Sequence, residues 1–156
     1  MSLDSVRAYF HTHAPDIDIL VTEASSATVM DAALAHGVEP AQIAKTLGLW
    51  LNDEPILLVM GGAARLDNQK YKARFGTKAK MLNAEEIVHQ TSHPVGGVCP
   101  FGLPKPMRVF ADVSLQAFDI VIPAAGATNA AVKIAPQHMV DLVKAEWIDV
   151  AQNASA

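Results

Sequence analysis

The chain has 156 residues, of which 51% are apolar and 18% are charged, and its formal net charge at pH 7 is −4. This length and composition predict one folded domain over residues 1–156 and exclude a largely disordered chain. The negative net charge argues against broad affinity for nucleic acid, although it leaves room for a local basic patch.

The N-terminal third of the chain carries clear helix and strand signals. Apolar residues at helical spacing predict a helix over 3–11, and 17–22 reads as a short strand. Ser25 and Ser26 supply N-cap chemistry for a second helix, which Gly37 would end. The chain therefore begins as helix, strand and helix.

A hairpin is predicted next. Pro40 suits the first turn of a brief helix, PAQIAKTL, with Lys45 near its end. The apolar runs LGLWL and PILLVM then flank the polar turn at 52–54, as in a β-hairpin. Their near-continuous hydrophobicity is typical of central strands.

The second half alternates helices and strands. Asp67 can cap a helix that Gly76 ends, and Asn83 with Glu86 resembles a capping box. Further strands are predicted at MRVFAD, DIVIPA and AAVKIAP, followed by a helix over 136–143. This alternation predicts an α/β fold: a single compact domain with a mixed, mostly antiparallel β-sheet flanked by helices.

Residues 91–103, TSHPVGGVCPFGL, form the most distinctive segment. Gly96 and Gly97 allow backbone geometry and close approach of a ligand that side chains would block. Pro100 fixes φ and lacks an N–H, so the loop would be stiff as well as open. The segment is either a preformed surface that binds through main-chain amides or an ordinary tight turn.

Several common chemistries lack their motifs. The chain has no phosphate-binding loop, dinucleotide fingerprint or HExxH sequence, and its six histidines have no metal-site spacing. We therefore predict no metal and no cofactor. The only cysteine, Cys99, has His93 six residues upstream, which leaves a thiol hydrolase or redox protein as one interpretation. A lone cysteine beside a proline is more often a packing residue.

The compartment follows from similar exclusions. A single cysteine excludes an intrachain disulfide and fits a reducing cytoplasm. The N-terminus lacks the basic start and apolar run of a signal peptide. No stretch approaches the ~18 uninterrupted apolar residues of a membrane span. The sequence predicts a cytoplasmic protein with no membrane partner.

Positive charge is concentrated in two places. Lys45 interrupts an apolar stretch, so its ammonium either reaches water or points into a cleft, where it could hold a phosphate or oxyanion. A basic run carries half of the twelve basic residues and forms either a solvated helix face or a local anion-binding patch. Its members are Arg65, Lys70, Lys72, Arg74, Lys78 and Lys80.

Four segments together resemble one family. PAQIAKTL with its hairpin, RLDNQKYKARFG, VGGVCPFGL and PAAGATNAAVKIAP, in this order, resemble the YbaK/EbsC family of aminoacyl-tRNA editing domains. The same domain occurs as the editing insertion of bacterial prolyl-tRNA synthetases. The similarity extends from about Leu20 to Val150.

The resemblance implies a metal-independent hydrolase that acts in trans. It would cleave the ester of a mischarged tRNA carrying a small amino acid, with that tRNA as its partner and a synthetase as a further candidate partner. The glycine loop would hold the carbonyl region, and water would attack with help from the terminal hydroxyl of the tRNA. No covalent nucleophile is required.

Site residues follow from the same resemblance. Lys45 matches the family's lysine, Gly96 to Pro100 its glycine loop, and Gly126 the glycine of a later loop. The implied catalytic residues are Lys45, Gly96 and Gly97. Val98, Cys99, Pro100 and Gly126 are substrate-binding residues by the same match, and we add Thr46, His93 and Asn129 as further candidates for this role. The candidate contacts to the tRNA acceptor stem are Arg65, Lys70, Lys72 and Arg74.

The chain also departs from its relatives. Ser92 stands where many have glycine, Cys99 where many have serine, and Ala124 where cysteinyl-tRNA deacylases have a serine. Ala131 lies near the position of a family aspartate. These differences affect which small amino acid is accepted, because such discrimination rests on few contacts. They also leave open a binding module of the same fold that holds aminoacyl-tRNA or a synthetase without hydrolysis.

Overall fold

The structure, a computed structural model, describes residues 2–152. Those residues form five α-helices and seven β-strands, with 3₁₀ turns at Pro40–Gln42 and Val113–Ala117. The helices are α1 (Ser2–His13), α2 (Val29–His36), α3 (Asn68–Phe75), α4 (Ala84–Thr91) and α5 (Pro136–Val143). The strands are β1 (Ile19–Val21), β2 (Ile43–Leu51), β3 (Glu54–Gly61), β4 (Arg108–Asp112), β5 (Ile122–Pro123), β6 (Ala130–Val132) and β7 (Glu146–Ile148).

A mixed five-stranded sheet organises the molecule. Its strand order is β5-β2-β3-β4-β7, and β1 and β6 form a separate antiparallel pair. The prediction of a mixed α/β sheet flanked by helices is confirmed. The prediction that it is mostly antiparallel is wrong for the five-stranded sheet, where only β2 and β3 run antiparallel. The other neighbours are joined by long crossovers, which return the chain in the same direction.

Both faces of the central strands are buried. On β3, Leu57 and Val59 pack in a core cluster that also contains side chains of α1 and α5. Ile56 and Leu58 pack on the other side, in a cluster with Tyr71 of α3. Burial on both faces explains why the strand sequence is continuously apolar instead of alternating.

Local capping signals place most helix ends. The Asp67 side chain accepts from the amides of Gln69 and Lys70, and Asn83 and Glu86 form the predicted capping box. The predicted start of α2 is wrong. Its N-cap is Thr28 instead of Ser25 or Ser26. The Ser26 side chain does not cap the helix, because its hydroxyl donates to the carbonyl of Thr128.

The predicted helix PAQIAKTL is also wrong. Only the 3₁₀ turn Pro40–Gln42 is helical, and β2 begins at Ile43. Strand pairing of Ile43 with Ile122 and of Lys45 with Met60 outweighs the local helical signal. Lys45 therefore projects from a central strand instead of a helix end.

Among residues 2–152, no helix combines the length and the apolar character needed to cross a membrane.

Candidate active site

A cavity of about 180 Å³ brings Lys45 and Gly96 to one place. It lies where the pairing of β2 with β5 stops, since the last paired residues are Ala44 and Pro123. The loop carrying Gly96 and the side chain of Ile87 on α4 close the gap from outside. An interrupted sheet edge thus forms the cavity.

Small apolar side chains form most of the cavity wall. Ala124 and Ala131 lie opposite each other in an isolated antiparallel bridge, and both line the cavity. Ile43, Ile122 and Ala131 belong to one buried apolar cluster. No carboxylate is found among the described residues that line the cavity. Its size and mostly apolar wall suit a small side chain.

The glycine loop is a turn wedged between two other segments. The Gly97 amide donates to the Pro94 carbonyl over 2.9 Å, and Gly96 has φ +92°. A Cβ on Gly96 would lie 2.8 Å from the Cβ of Ala27, and one on Gly97 would lie 2.7 Å from the nitrogen of Ala127. Only glycine fits both positions.

This turn also determines which amides the loop can offer. The Gly97 N–H is occupied by Pro94, and the Gly97 carbonyl accepts from Gly126 over 3.0 Å. Within residues 2–152, the N–H groups of Gly96 and Val98 have no backbone acceptor, and both residues line the cavity. Gly97 is therefore not available as a donor, whereas the N–H groups of Gly96 and Val98 are available to a ligand.

Lys45 lies half-buried at the edge of the cavity. Its Nζ donates to the carbonyls of Gly62 at 3.3 Å and Ala64 at 2.5 Å. Burial lowers the pKa of Lys45 below its usual range, and the positive charge of Arg65 lowers it further. An ammonium has three donors, so one donor remains for a ligand.

The basic run is divided between ion pairs and exposed side chains. Lys70 donates to Asp149 and to the carbonyl of Ala151, and Arg74 pairs with Glu146. Arg65 is exposed and close enough to Lys45 to influence its pKa. Lys72 is exposed on α3. Arg65 is thus the member of the run that acts on Lys45, although its own side chain lines a separate pocket.

His93 and Cys99 lie beneath the loop, fully buried, and do not line the cavity. The Nε2 of His93 is 2.8 Å from the carbonyl of Phe101, and the Cys99 sulfur is 3.5 Å from the same nitrogen. Burial raises the pKa of the Cys99 thiol to about 12. A thiolate at neutral pH is therefore disfavoured, which argues against thiol chemistry.

Three further predicted residues lie outside the cavity lining. Gly126 has φ +89° and donates its N–H to Gly97. The Asn129 side chain donates to the carbonyl of Thr22 over 3.0 Å. Pro100 is buried and lines a separate groove. None of the three lines the cavity, so their predicted contact with substrate finds no support in its lining.

Thr46 is the remaining predicted residue, and it does line the cavity. Its Oγ1 is buried and has no hydrogen-bond partner among the described residues. The structure adds Ser26, Ala27, Thr28 and Val95 to the lining. No local sequence signal marks these residues, because they reach the cavity only through long-range packing.

The departure at Ser92 concerns a helix end. Ser92 is exposed, caps α4 and has φ +61°. Glycine adopts this left-handed conformation more easily than serine does. Ser92 thus serves helix termination in this chain, and it is not among the residues that line the cavity.

Comparison with known proteins identifies relatives over most of the chain. Residues 23–142 match the family described as the aminoacyl-tRNA editing domain. The chain is 43% identical over 155 residues to the uncharacterized protein YwhH of Bacillus subtilis (strain 168), and the match covers 98% of this chain and 99% of YwhH. It is 30% identical over 107 residues to the proline–tRNA ligase of Citrifermentans bemidjiense, covering 68% of this chain and 19% of the ligase.

A solved structure shares the whole fold. The crystal structure of a "putative trans-editing enzyme for prolyl tRNA synthetase" superposes with a TM-score of 0.89 at 27% identity. The superposition covers 97% of this chain and 98% of that chain.

Proposed function

Because this chain belongs to the family of aminoacyl-tRNA editing domains, we propose that it is a trans-editing deacylase. It would hydrolyse the ester of a mischarged tRNA that carries a small amino acid. The observation that carries this proposal is that Lys45 and the loop residues Gly96 and Val98 line one cavity of about 180 Å³.

The cavity supports ester hydrolysis by positioning and charge stabilisation. The N–H groups of Gly96 and Val98 would bind the ester carbonyl, where negative charge develops as water attacks. One well-placed donor of this kind can contribute about 3 kcal/mol to transition-state stabilisation. The remaining donor of Lys45 would hold a phosphate of the terminal nucleotide or polarise the ester. The reaction would need no metal, cofactor or covalent nucleophile.

The substrate preference follows from volume and chemistry. A cavity near 180 Å³ is smaller than the ~300–1,000 Å³ of typical ligand pockets. The cavity wall at Ala124 and Ala131 would accept a short side chain of the amino acid and exclude a long or charged one. The amino acid on the mischarged tRNA would accordingly be small.

Exposed basic side chains of the run would bind the acceptor end of the tRNA. Arg65 and Lys72 are candidates because both are exposed, whereas Lys70 and Arg74 are already paired with carboxylates. Arg65→Ala should weaken tRNA binding and reduce its salt dependence. Unchanged binding at low salt would contradict this assignment. Such a reaction would take place in the cytoplasm, where tRNA is charged, and a synthetase is a further candidate partner.

A deacylation panel tests the function directly. The same protein would be assayed with tRNAs charged with alanine, serine, cysteine, threonine and proline, each against its uncatalysed rate. We expect accelerated hydrolysis of at least one small aminoacyl ester. An absence of acceleration for every member of the panel would contradict the proposal.

One observation favours a second candidate function. The Gly97 N–H is occupied by Pro94, which leaves the loop with fewer donors than its sequence suggests. The chain could then be a binding module that holds aminoacyl-tRNA, or a synthetase, without hydrolysis. Retarded migration of aminoacyl-tRNA in a gel, with no release of amino acid, would support the module over the enzyme.

A further inference from the structure

We propose that Thr46 recognises the α-ammonium group of the aminoacyl ester and is a specificity-determining residue of the cavity. This inference rests on the proposed function, because it names the part of the substrate that one residue binds. It is carried by the backbone of β2 and by the side chain of Thr46.

The backbone of β2 has an open edge beyond Ala44. In a strand, successive residues direct their N–H and C=O groups to opposite neighbours. Trp50 donates to the Lys80 carbonyl and the Gly48 carbonyl accepts from Leu82, so even-numbered residues face the outer edge. Pairing with β5 ends at Ala44. The N–H and C=O of Thr46 therefore point into the gap that forms the cavity, and no backbone partner for them is found within residues 2–152.

The side chain of Thr46 carries a hydroxyl group at the same place. Its Oγ1 is buried and has no partner among the described residues, and Thr46 is one of the residues that line the cavity. A buried hydroxyl left without a hydrogen bond is unfavourable by about 1–3 kcal/mol. A ligand with a hydrogen-bond donor would remove this penalty. Thr46 thus offers two acceptors, a carbonyl and a hydroxyl oxygen, at one point of the wall.

The shape of an aminoacyl ester indicates which of its groups would reach Thr46. The α-carbon of an aminoacyl ester carries a side chain, a carbonyl and an ammonium, which leave in three directions. In the proposed pose the carbonyl points to Gly96 and the small side chain points to Ala124 and Ala131. The ammonium then points to the remaining side of the cavity, which is the edge of β2. Since no carboxylate is found among the described lining residues, neutral acceptors must hold this cation. Thr46 supplies them.

The experiment compares two enzymes on two substrates. Thr46→Val replaces the hydroxyl by a methyl group of similar shape, and lactyl-tRNA replaces the α-ammonium of alanyl-tRNA by a hydroxyl. Hydrolysis rates at subsaturating enzyme, corrected for the uncatalysed reaction, give kcat/KM for each combination. We expect T46V to lose at least about tenfold on alanyl-tRNA, the effect of one hydrogen bond to a charged group, and a clearly smaller factor on lactyl-tRNA, whose hydroxyl forms only a neutral hydrogen bond.

Other outcomes would overturn the proposal. An equal loss of kcat/KM on both substrates, or no loss on either, would mean that the hydroxyl of Thr46 does not bind the ammonium. Seryl-tRNA serves as a third substrate. A loss of activity confined to seryl-tRNA would mean that Thr46 contacts the substrate side chain and not the ammonium. Thr46→Ser keeps the hydroxyl and should retain the preference for alanyl-tRNA over lactyl-tRNA.

A binding experiment separates this inference from the proposed function. The probe is 3′-alanylamino-3′-deoxyadenosine, an amide that resists hydrolysis, with the lactyl amide as its matched control. If the wild-type protein hydrolyses no aminoacyl-tRNA but binds the alanyl amide about tenfold more tightly than T46V does, the deacylase proposal fails and the role of Thr46 stands. Equal affinity of the two proteins for the alanyl amide overturns the role of Thr46 regardless of activity.

Discussion

The hydroxyl of Ser2, at the start of α1, lies 2.5 Å from the Nδ1 of His93. The other ring nitrogen of His93 lies 2.8 Å from the carbonyl of Phe101. A neutral ring satisfies both contacts when Nε2–H donates to Phe101 and Nδ1 accepts from Ser2. One buried imidazole therefore joins the two ends of the glycine loop and connects them to α1.

Stability should consequently fall at mildly acidic pH. Burial lowers the pKa of His93 below its ordinary value of 6.5, an effect that the Phe101 carbonyl partly opposes. Above pH 6.5 His93 is neutral in both folded and unfolded chains, and its contribution to stability is fully present. As pH falls below 6.5, the unfolded chain takes up the proton first, so the free energy of unfolding declines until the folded pKa is passed.

Urea unfolding at pH 7.5 and pH 5.5 measures this decline. The variant His93→Gln keeps a polar side chain but cannot titrate, so its free energy of unfolding should change less between the two values of pH. Parallel pH profiles for the wild type and the variant would contradict the assignment.

Gly96→Ala should both destabilise the fold and close the cavity. The added Cβ would lie 2.8 Å from the Cβ of Ala27, on a residue with φ +92°. The matched control is Gly76→Ala, where φ is +76° and no atom lies within 4 Å of the added Cβ. The control carries only the backbone strain, about 1 kcal/mol. We expect Gly96→Ala to lower the free energy of unfolding by ~1–3 kcal/mol more, through overpacking.

Deacylation separates the two glycine variants further. Gly96→Ala should abolish ester hydrolysis under conditions where the protein remains folded, whereas Gly76→Ala should hydrolyse the ester as the wild type does. Similar unfolding free energies for the two variants would mean that the loop can relax away from Ala27.

Lys45→Met should remove hydrolysis while leaving the fold intact. The substitution keeps an unbranched chain at the half-buried position but removes the ammonium that Gly62 and Ala64 hold at the cavity edge. Loss of one positioned donor lowers kcat by about 10²–10³-fold in other enzymes. Lys105→Met is the control, because Lys105 is exposed and lines a different groove. Hydrolysis by Lys45→Met at the wild-type rate would exclude a catalytic role for the lysine.

Sequence reasoning succeeded where the signal and its effect lie within one helical turn. The cap formed by Asp67 and the capping box of Asn83 and Glu86 act over three residues, and both are present. It failed at Lys45, where the local pattern indicates a helix but pairing with Met60 imposes a strand. Partners distant in the chain decide such segments, and no local pattern reveals them.

The cavity likewise has features that the local sequence reveals and features that depend on distant contacts. Glycines at 96 and 97 can be recognised as special from their residue type alone, but their packing partners Ala27 and Ala127 cannot. Likewise, the sequence offers no means to tell that Gly97 donates inward to Pro94 while Thr46 faces the cavity. Backbone direction and long-range contacts arise only from the complete fold.

Cys99→Ser tests whether the cysteine has any chemical role. The thiol is fully buried, and its burial raises the pKa to about 12, so the thiolate that a nucleophile requires is scarce near neutral pH. The serine variant should keep its deacylase activity within about threefold and should unfold more readily by ~1–3 kcal/mol, since a hydroxyl enters an apolar cluster. Iodoacetamide supplies a second measurement: the folded protein should react far more slowly than the same protein in urea. Rapid alkylation of the folded chain, together with complete loss of activity in Cys99→Ser, would restore the thiol enzyme as the better interpretation.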